Sequence, residues 1–121
     1  MRNITVAAIQ MQCSPSVEEN IAKADKMVRE AAAKGANVIL LPELFERPYF
    51  CQERQYEYYA YATPTAENLA VNHFKAVAKE LGVVLPISFY EKANTQLFNS
   101  IAVLDADGSL LGVYQIGRAH V

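Results

Sequence analysis

Glu43 is the side chain in this sequence whose setting best suits chemistry. It follows Val38-Ile39-Leu40-Leu41-Pro42 and precedes Leu44 and Phe45. The four apolar residues read as a strand covered on both faces. Pro42 cannot donate to a ladder, so it stops that strand at its carboxyl end. A carboxylate placed there between apolar neighbours is expected to be desolvated, the setting in which carboxylates take up proton transfer. The same edge of an α/β sheet is where ligands bind. A solvated loop carboxylate turned outward is the competing reading.

The other reactive groups have weaker support. The chain carries no GxGxxG, Walker or GxSxG motif. His73 falls on a helical stretch with no partner at ligand spacing, so no metal is expected, and no organic cofactor either. Cys51 follows Pro48-Tyr49-Phe50 and Cys13 ends the first strand. Neither has a histidine beside it in sequence, and each reads as a small packed thiol rather than a nucleophile. Tyr49, Phe50, Tyr56, Tyr58, Tyr59 and Tyr61 crowd the stretch after Phe45. They could line a pocket or a partner surface, though aromatic packing beneath a long loop is the commoner arrangement.

The elements that must position these residues alternate. Ile4 to Met11 is expected as a strand with Ile4, Val6, Ala8 and Gln10 on one face. Ser16 caps a helix that carries Glu18 and Glu19 in its first turn and runs to about Lys34. Its apolar stripe is Ile21, Ala24, Met27, Val28, Ala31 and Ala32, and Gly35 closes it. The strand ending at Leu41 then completes a β-α-β unit with a right-handed crossover. Thr65 is expected to cap a second helix over 66–81, with Leu69, Phe74, Val77, Ala78 and Leu81 inward and Gly82 closing it. Val83 to Tyr90 is a third strand, in which Pro86 implies an edge or a bulge. A polar connection spans 91–96. Leu97 to Leu104 alternates as a strand, and Asp105-Ala106-Asp107-Gly108 turns it into a partner over 109–115.

Composition narrows the class. The 121 residues are 52% hydrophobic and 20% charged, which suits one compact domain or part of a larger one. Thirteen acidic residues against eleven basic ones leave a net charge of −2, without the basic footprint of a nucleic-acid binder. No apolar run approaches the roughly 20 residues that span a bilayer. Two cysteines without CxxC spacing, and a start lacking a signal-peptide core, make the reducing cytoplasm the default location.

Three segments carry a resemblance. They are Val6-Ala7-Ala8-Ile9-Gln10-Met11, then Gly35-Ala36-Asn37-Val38-Ile39-Leu40-Leu41-Pro42-Glu43-Leu44-Phe45, then Phe98-Asn99-Ser100-Ile101-Ala102-Val103-Leu104-Asp105-Ala106-Asp107-Gly108. In order and spacing, residues 3–114 resemble the N-terminal part of a nitrilase-superfamily carbon–nitrogen hydrolase. Two further segments, 45–52 and 81–91, look most like the subfamily acting on N-carbamoylputrescine.

That resemblance implies an α/β fold, the N-terminal part of a four-layer αββα sandwich. It also implies a Glu-Lys-Cys triad of which this chain holds the glutamate, Glu43, as general base. Tyr49 and Phe50 become candidate pocket walls for the substrate's aliphatic chain. Glu46 reads as a surface salt-bridge carboxylate, with the substrate's distal ammonium as the alternative partner. The partners implied are a small-molecule substrate and further copies of the full-length chain, with no nucleic acid or membrane. Other amidases of the superfamily, acting on β-ureidopropionate, N-carbamoyl amino acids or ω-amides, fit the same scaffold. A non-catalytic binding module remains the reading from a different class. The family's Tyr-Arg-Lys run is interrupted after Tyr114, where residues 116–121 match the peptide encoded in this frame by a widely used sequencing adapter. Residues 1–115 are therefore expected to be family sequence and 116–121 a non-native read-through tail. As written, the polypeptide is expected to be inactive.

Overall fold

The computed structural model describes residues 2–50 and 56–118. Strand β1 (Val6–Ala8), helix α1 (Val17–Ala33) and strand β2 (Val38–Leu40) come first. The two strands run parallel, Val6 opposite Val38 and Ala8 opposite Leu40. This is the β-α-β unit that the alternation predicts. Ser16 Oγ accepts from the Glu19 amide at 3.3 Å, so the helix begins at its expected cap. Its inward residues include Val17, Ile21, Ala24 and Val28.

Two 3₁₀ turns, Tyr56–Tyr61 and Thr65–Glu67, lead into α2 (Leu69–Leu81). Strands β3 (Leu85–Ala93), β4 (Gln96–Leu104) and β5 (Leu110–Arg118) then form an antiparallel sheet in that order. A parallel bridge from Val38 to Val84 joins this sheet to the first pair. Its bonds run from the Ile39 amide to the Val84 carbonyl (3.0 Å) and from the Val84 amide to the Asn37 carbonyl (2.9 Å). Amides alternate in direction along a strand, so Pro86 lacks its N–H on the β2 side, just past the bridge. The expected edge is therefore the point where β3 leaves β2.

Both helices cover one face of this sheet. Phe45, Phe74, Phe89, Ile39, Leu85, Ile87, Leu104 and Val28 make the core between the layers. The opposite face is covered around Tyr90 by Leu44 and Phe50 and is otherwise open, and Val6 (71% exposed), Leu40, Tyr114 and Ile116 stand out from it.

Several expectations change. β1 is shorter than residues 4–11, because β2 stops before Pro42 and, among the described residues, the ladder ends at the Ile9–Leu40 bond. β2 is covered on one face only, with Leu40 exposed. The cap of α2 is Asn68, whose side chain accepts from the Val71 amide at 2.8 Å, while Thr65 starts the preceding 3₁₀ turn. Leu69, in the first turn, is exposed, and Ala70 and Val71 face inward instead. The stretch 91–96 is no loop. β3 and β4 extend to Ala93 and Gln96 around a two-residue turn, with Asn94 at φ 57°. The Asp105–Gly108 turn forms as expected, closed by the Gly108 amide on the Asp105 carbonyl (2.9 Å).

Candidate active site

Residues 43–46 form the turn after β2, and the four differ in burial. Glu43 is exposed, whereas Leu44 and Phe45 are buried and Glu46 is half-buried. The hinge of this pattern is Leu44, at φ 51°. Left-handed backbone is unfavourable for a leucine and persists only where the surroundings enforce it. Here Ser88 Oγ accepts the Leu44 amide at 2.9 Å inside the fold. Phe45 packs edge-on against Phe74 with ring centroids 6.0 Å apart. Asn20, a polar residue buried in α1, donates to the Glu46 carbonyl at 2.8 Å. Three elements thus clamp the turn that carries the two carboxylates.

The expectation that Glu43 is desolvated between its apolar neighbours does not hold in this chain. The left-handed Leu44 turns its own side chain and that of Phe45 into the fold, which leaves Glu43 pointing out. It lines an open groove of about 390 Å³ with Ala8, Gln10, Met11, Leu40 and Pro42, at the carboxyl ends of β1 and β2. The expected position is therefore kept, and the expected burial is not. Asn99 Nδ2, from β4, donates to Glu43 Oε1 at 2.5 Å.

Burial falls on Glu46 instead. Loss of hydration raises its carboxyl above the ordinary range, against the weaker opposing pull of Asn68 and the nearby Arg47 charge. Asn68 Nδ2 donates to Glu46 Oε1 at 2.7 Å. No ion pair involves Glu46 among the described residues, so the surface salt bridge read from the sequence is absent. A second inward carboxylate, Glu91, accepts from Thr65 Oγ1 (3.0 Å), Ser100 Oγ (2.8 Å) and Gln115 Nε2 (3.1 Å).

Tyr49 and Phe50 line a different cleft from the Glu43 groove, about 250 Å³ in volume, with Pro15, Arg47, Tyr58 and Tyr61. Phe50 is buried against Tyr90, Tyr61 and Tyr58, at centroid distances of 5.0, 5.8 and 5.3 Å. The Arg47 guanidinium lies 3.8 Å over the Tyr61 ring. Tyr90 ties the two places together, because it touches Phe50 and is also the cross-strand neighbour of Asn99. Half-buried Cys13 is a packed thiol, raised by its burial against a smaller opposing effect of Lys23. Cys51 and His120 lie outside the described residues. His73 meets Asp25 on the surface at 2.6 Å. Nothing in the spacing singles out Asn20, Ser88 or Asn99, the side chains that hold the site. Their one signal is a polar residue on an otherwise apolar face.

The carbon-nitrogen hydrolase family matches residues 5–116. The chain belongs to that family. Carbon–nitrogen hydrolases similar to it include the N-carbamoylputrescine amidase of Arabidopsis thaliana, 46% identical over 99% of this chain and 40% of that protein. A citrullinase of Francisella tularensis is 40% identical over all of this chain and 42% of its own length. Among solved structures, a carbon-nitrogen hydrolase from Helicobacter pylori superposes with a TM-score of 0.83 at 29% identity, covering 93% of this chain and 39% of that one. The chain spans about two fifths of the curated relatives it matches and is a fragment of that fold. The α/β class read from the sequence is the one observed.

Proposed function

We propose that the whole protein of which this chain is part hydrolyses N-carbamoylputrescine to putrescine, carbon dioxide and ammonia, with Glu43 as general base. One observation carries this reading. The only side chain in the open groove with acid–base capacity, among the described residues that line it, is Glu43, and it sits where β1 and β2 end. The identity to N-carbamoylputrescine amidases supports the substrate class.

In this reading the base takes a proton from a cysteine thiol supplied by the continuation of the chain. The resulting thiolate attacks the ureido carbon, and the C–N bond to the terminal amide nitrogen breaks as that nitrogen receives the proton and leaves as ammonia. Water, deprotonated by the same carboxylate, then displaces the thiolate. The released carbamate decomposes to carbon dioxide and putrescine. An exposed base suits the incomplete sandwich, since a second sheet over the open face would enclose Glu43 along with Val6, Leu40 and Tyr114. Tyr49 and Phe50 wall the cleft for the aliphatic chain. Glu46 lines a small void of about 20 Å³ beside that cleft with Phe50, Tyr61 and Tyr90, and would receive the distal ammonium.

A second reading, citrulline as substrate, is favoured by Arg47 at the same cleft. Citrulline keeps the ureido group and the ammonium but adds a carboxylate that a guanidinium would bind. Steady-state ammonia release by the purified full-length protein from each substrate separates the two. A higher kcat/KM for N-carbamoylputrescine is expected. No release from any N-carbamoyl compound would overturn the proposal.

A further inference from the structure

Among the described residues, one side chain hydrogen-bonds the Glu43 carboxylate, and its own situation is costly. Asn99 lies in β4 on the face turned away from the helices, opposite Tyr90. Its Nδ2 donates to Glu43 Oε1 at 2.5 Å. Its Oδ1 is sealed from solvent yet accepts no hydrogen bond among the described residues. Turning the amide over would not help, because it would press Oδ1 against Glu43 Oε1, acceptor on acceptor.

None of this serves the sheet. Asparagine is a poor strand residue, and a buried carbonyl without a donor costs its full desolvation. Leucine at this position would remove the orphan oxygen and suit the half-buried strand better, while Glu43, lining the groove that must admit water for hydrolysis, would keep water as a partner. The cost therefore has to be met by what Nδ2 does. We infer that Asn99 is a positioning residue: it spends sheet stability to hold the Glu43 carboxylate at a fixed angle into the groove. The inference rests on the proposed role of Glu43 as base. It makes a specific demand, that stability and turnover move in opposite directions when Asn99 is replaced.

The test uses the full-length protein and compares wild type, Asn99→Leu, Asn99→Thr and Glu43→Gln by thermal unfolding and steady-state ammonia release. Asn99→Leu is expected to melt at or above the wild-type temperature. Its kcat should fall about tenfold to a hundredfold, a share of the roughly 10²–10⁴-fold that a placed general base supplies. KM should hold, the mark of an interaction needed in the transition state alone. Asn99→Thr, a good strand former that keeps a donor on a shorter arm, should recover part of that rate. Asn99→Leu and Asn99→Thr that both lose stability together with activity would assign Asn99 a structural role and overturn the inference, as would wild-type turnover in Asn99→Leu. If Glu43→Gln is inactive while Asn99→Leu turns over normally, only this inference fails. If Glu43→Gln turns over normally, the parent reading of Glu43 fails as well.

Discussion

Ser88→Ala is the substitution that most sharply probes how the turn presents Glu43. Ser88 Oγ takes the Leu44 amide at 2.9 Å in the interior, and Leu44 is held at φ 51°. A left-handed leucine costs about 1–2 kcal/mol. Removing the hydroxyl leaves the buried Leu44 N–H without an acceptor, worth about 1–3 kcal/mol. Serine and alanine differ too little in volume for a cavity to add much. Two limits follow. If the turn stays as it is, the protein loses the whole of that about 1–3 kcal/mol and keeps its rate. If Leu44 relaxes to negative φ, it recovers up to the about 1–2 kcal/mol of strain, but Glu43 swings out of the groove and kcat falls. Urea unfolding and ammonia release, measured on the same full-length preparation, place the variant between these limits. Leu44→Gly removes the strain and with it the relief that relaxation offers, so Ser88→Ala should cost its full amount in that background, at least as much as alone. A Ser88→Ala protein that matches wild type in both stability and kcat would refute the idea that this bond pins the turn.

Three further substitutions test the electrostatics and the backbone. Because burial raises the Glu46 carboxyl, the native state holds that proton more tightly than the unfolded chain does. Its contribution to stability is therefore full below the unfolded carboxyl value of about 4.3 and is lost as pH rises through the raised native value. Glu46→Gln still accepts from Asn68, so it should raise the melting temperature at pH 7 and lose that advantage at pH 4. An equal difference at both pH values would contradict the assignment. Gly35 and Gly108 both have positive φ (99° and 86°), but a Cβ on Gly108 would stand 2.9 Å from the Lys75 carbonyl of α2, whereas one on Gly35 meets nothing within 4 Å. Gly35→Ala should cost about 1–2 kcal/mol by urea unfolding. Gly108→Ala should cost clearly more, and equal costs would show that the turn does not press on α2.

Much of the frame was legible from local chemistry. Ser16, Gly35 and Gly82 mark helix ends through the same cap geometry that the structure shows. The Asp105–Gly108 turn announces its hairpin, and Pro42 places Glu43 at the sheet's edge. The orientation of Glu43 was not legible, because it depends on a leucine adopting φ 51°, which local propensity disfavours. That one backbone angle exchanges the expected environments of Glu43 and Glu46. Thr65 does not cap α2 because a 3₁₀ turn over Thr65–Glu67 delays the helix to Leu69; its hydroxyl donates to buried Glu91 instead, and Asn68 accepts the Val71 amide. Asn99 stayed hidden since alternation gives only its face, and its partner lies 56 positions away.

The central claim is that Glu43 is the general base, and Glu43→Gln in the full-length protein tests it most directly. Among the described residues the Glu43 side chain has one hydrogen bond, from Asn99, whose amide can also donate to the carbonyl of a glutamine of the same shape. The fold should therefore be unaffected, with a melting temperature equal to wild type. Steady-state hydrolysis of N-carbamoylputrescine should drop by about 10²–10⁴-fold in kcat, with KM little changed. A folded Glu43→Gln protein that releases ammonia at the wild-type rate would contradict the account.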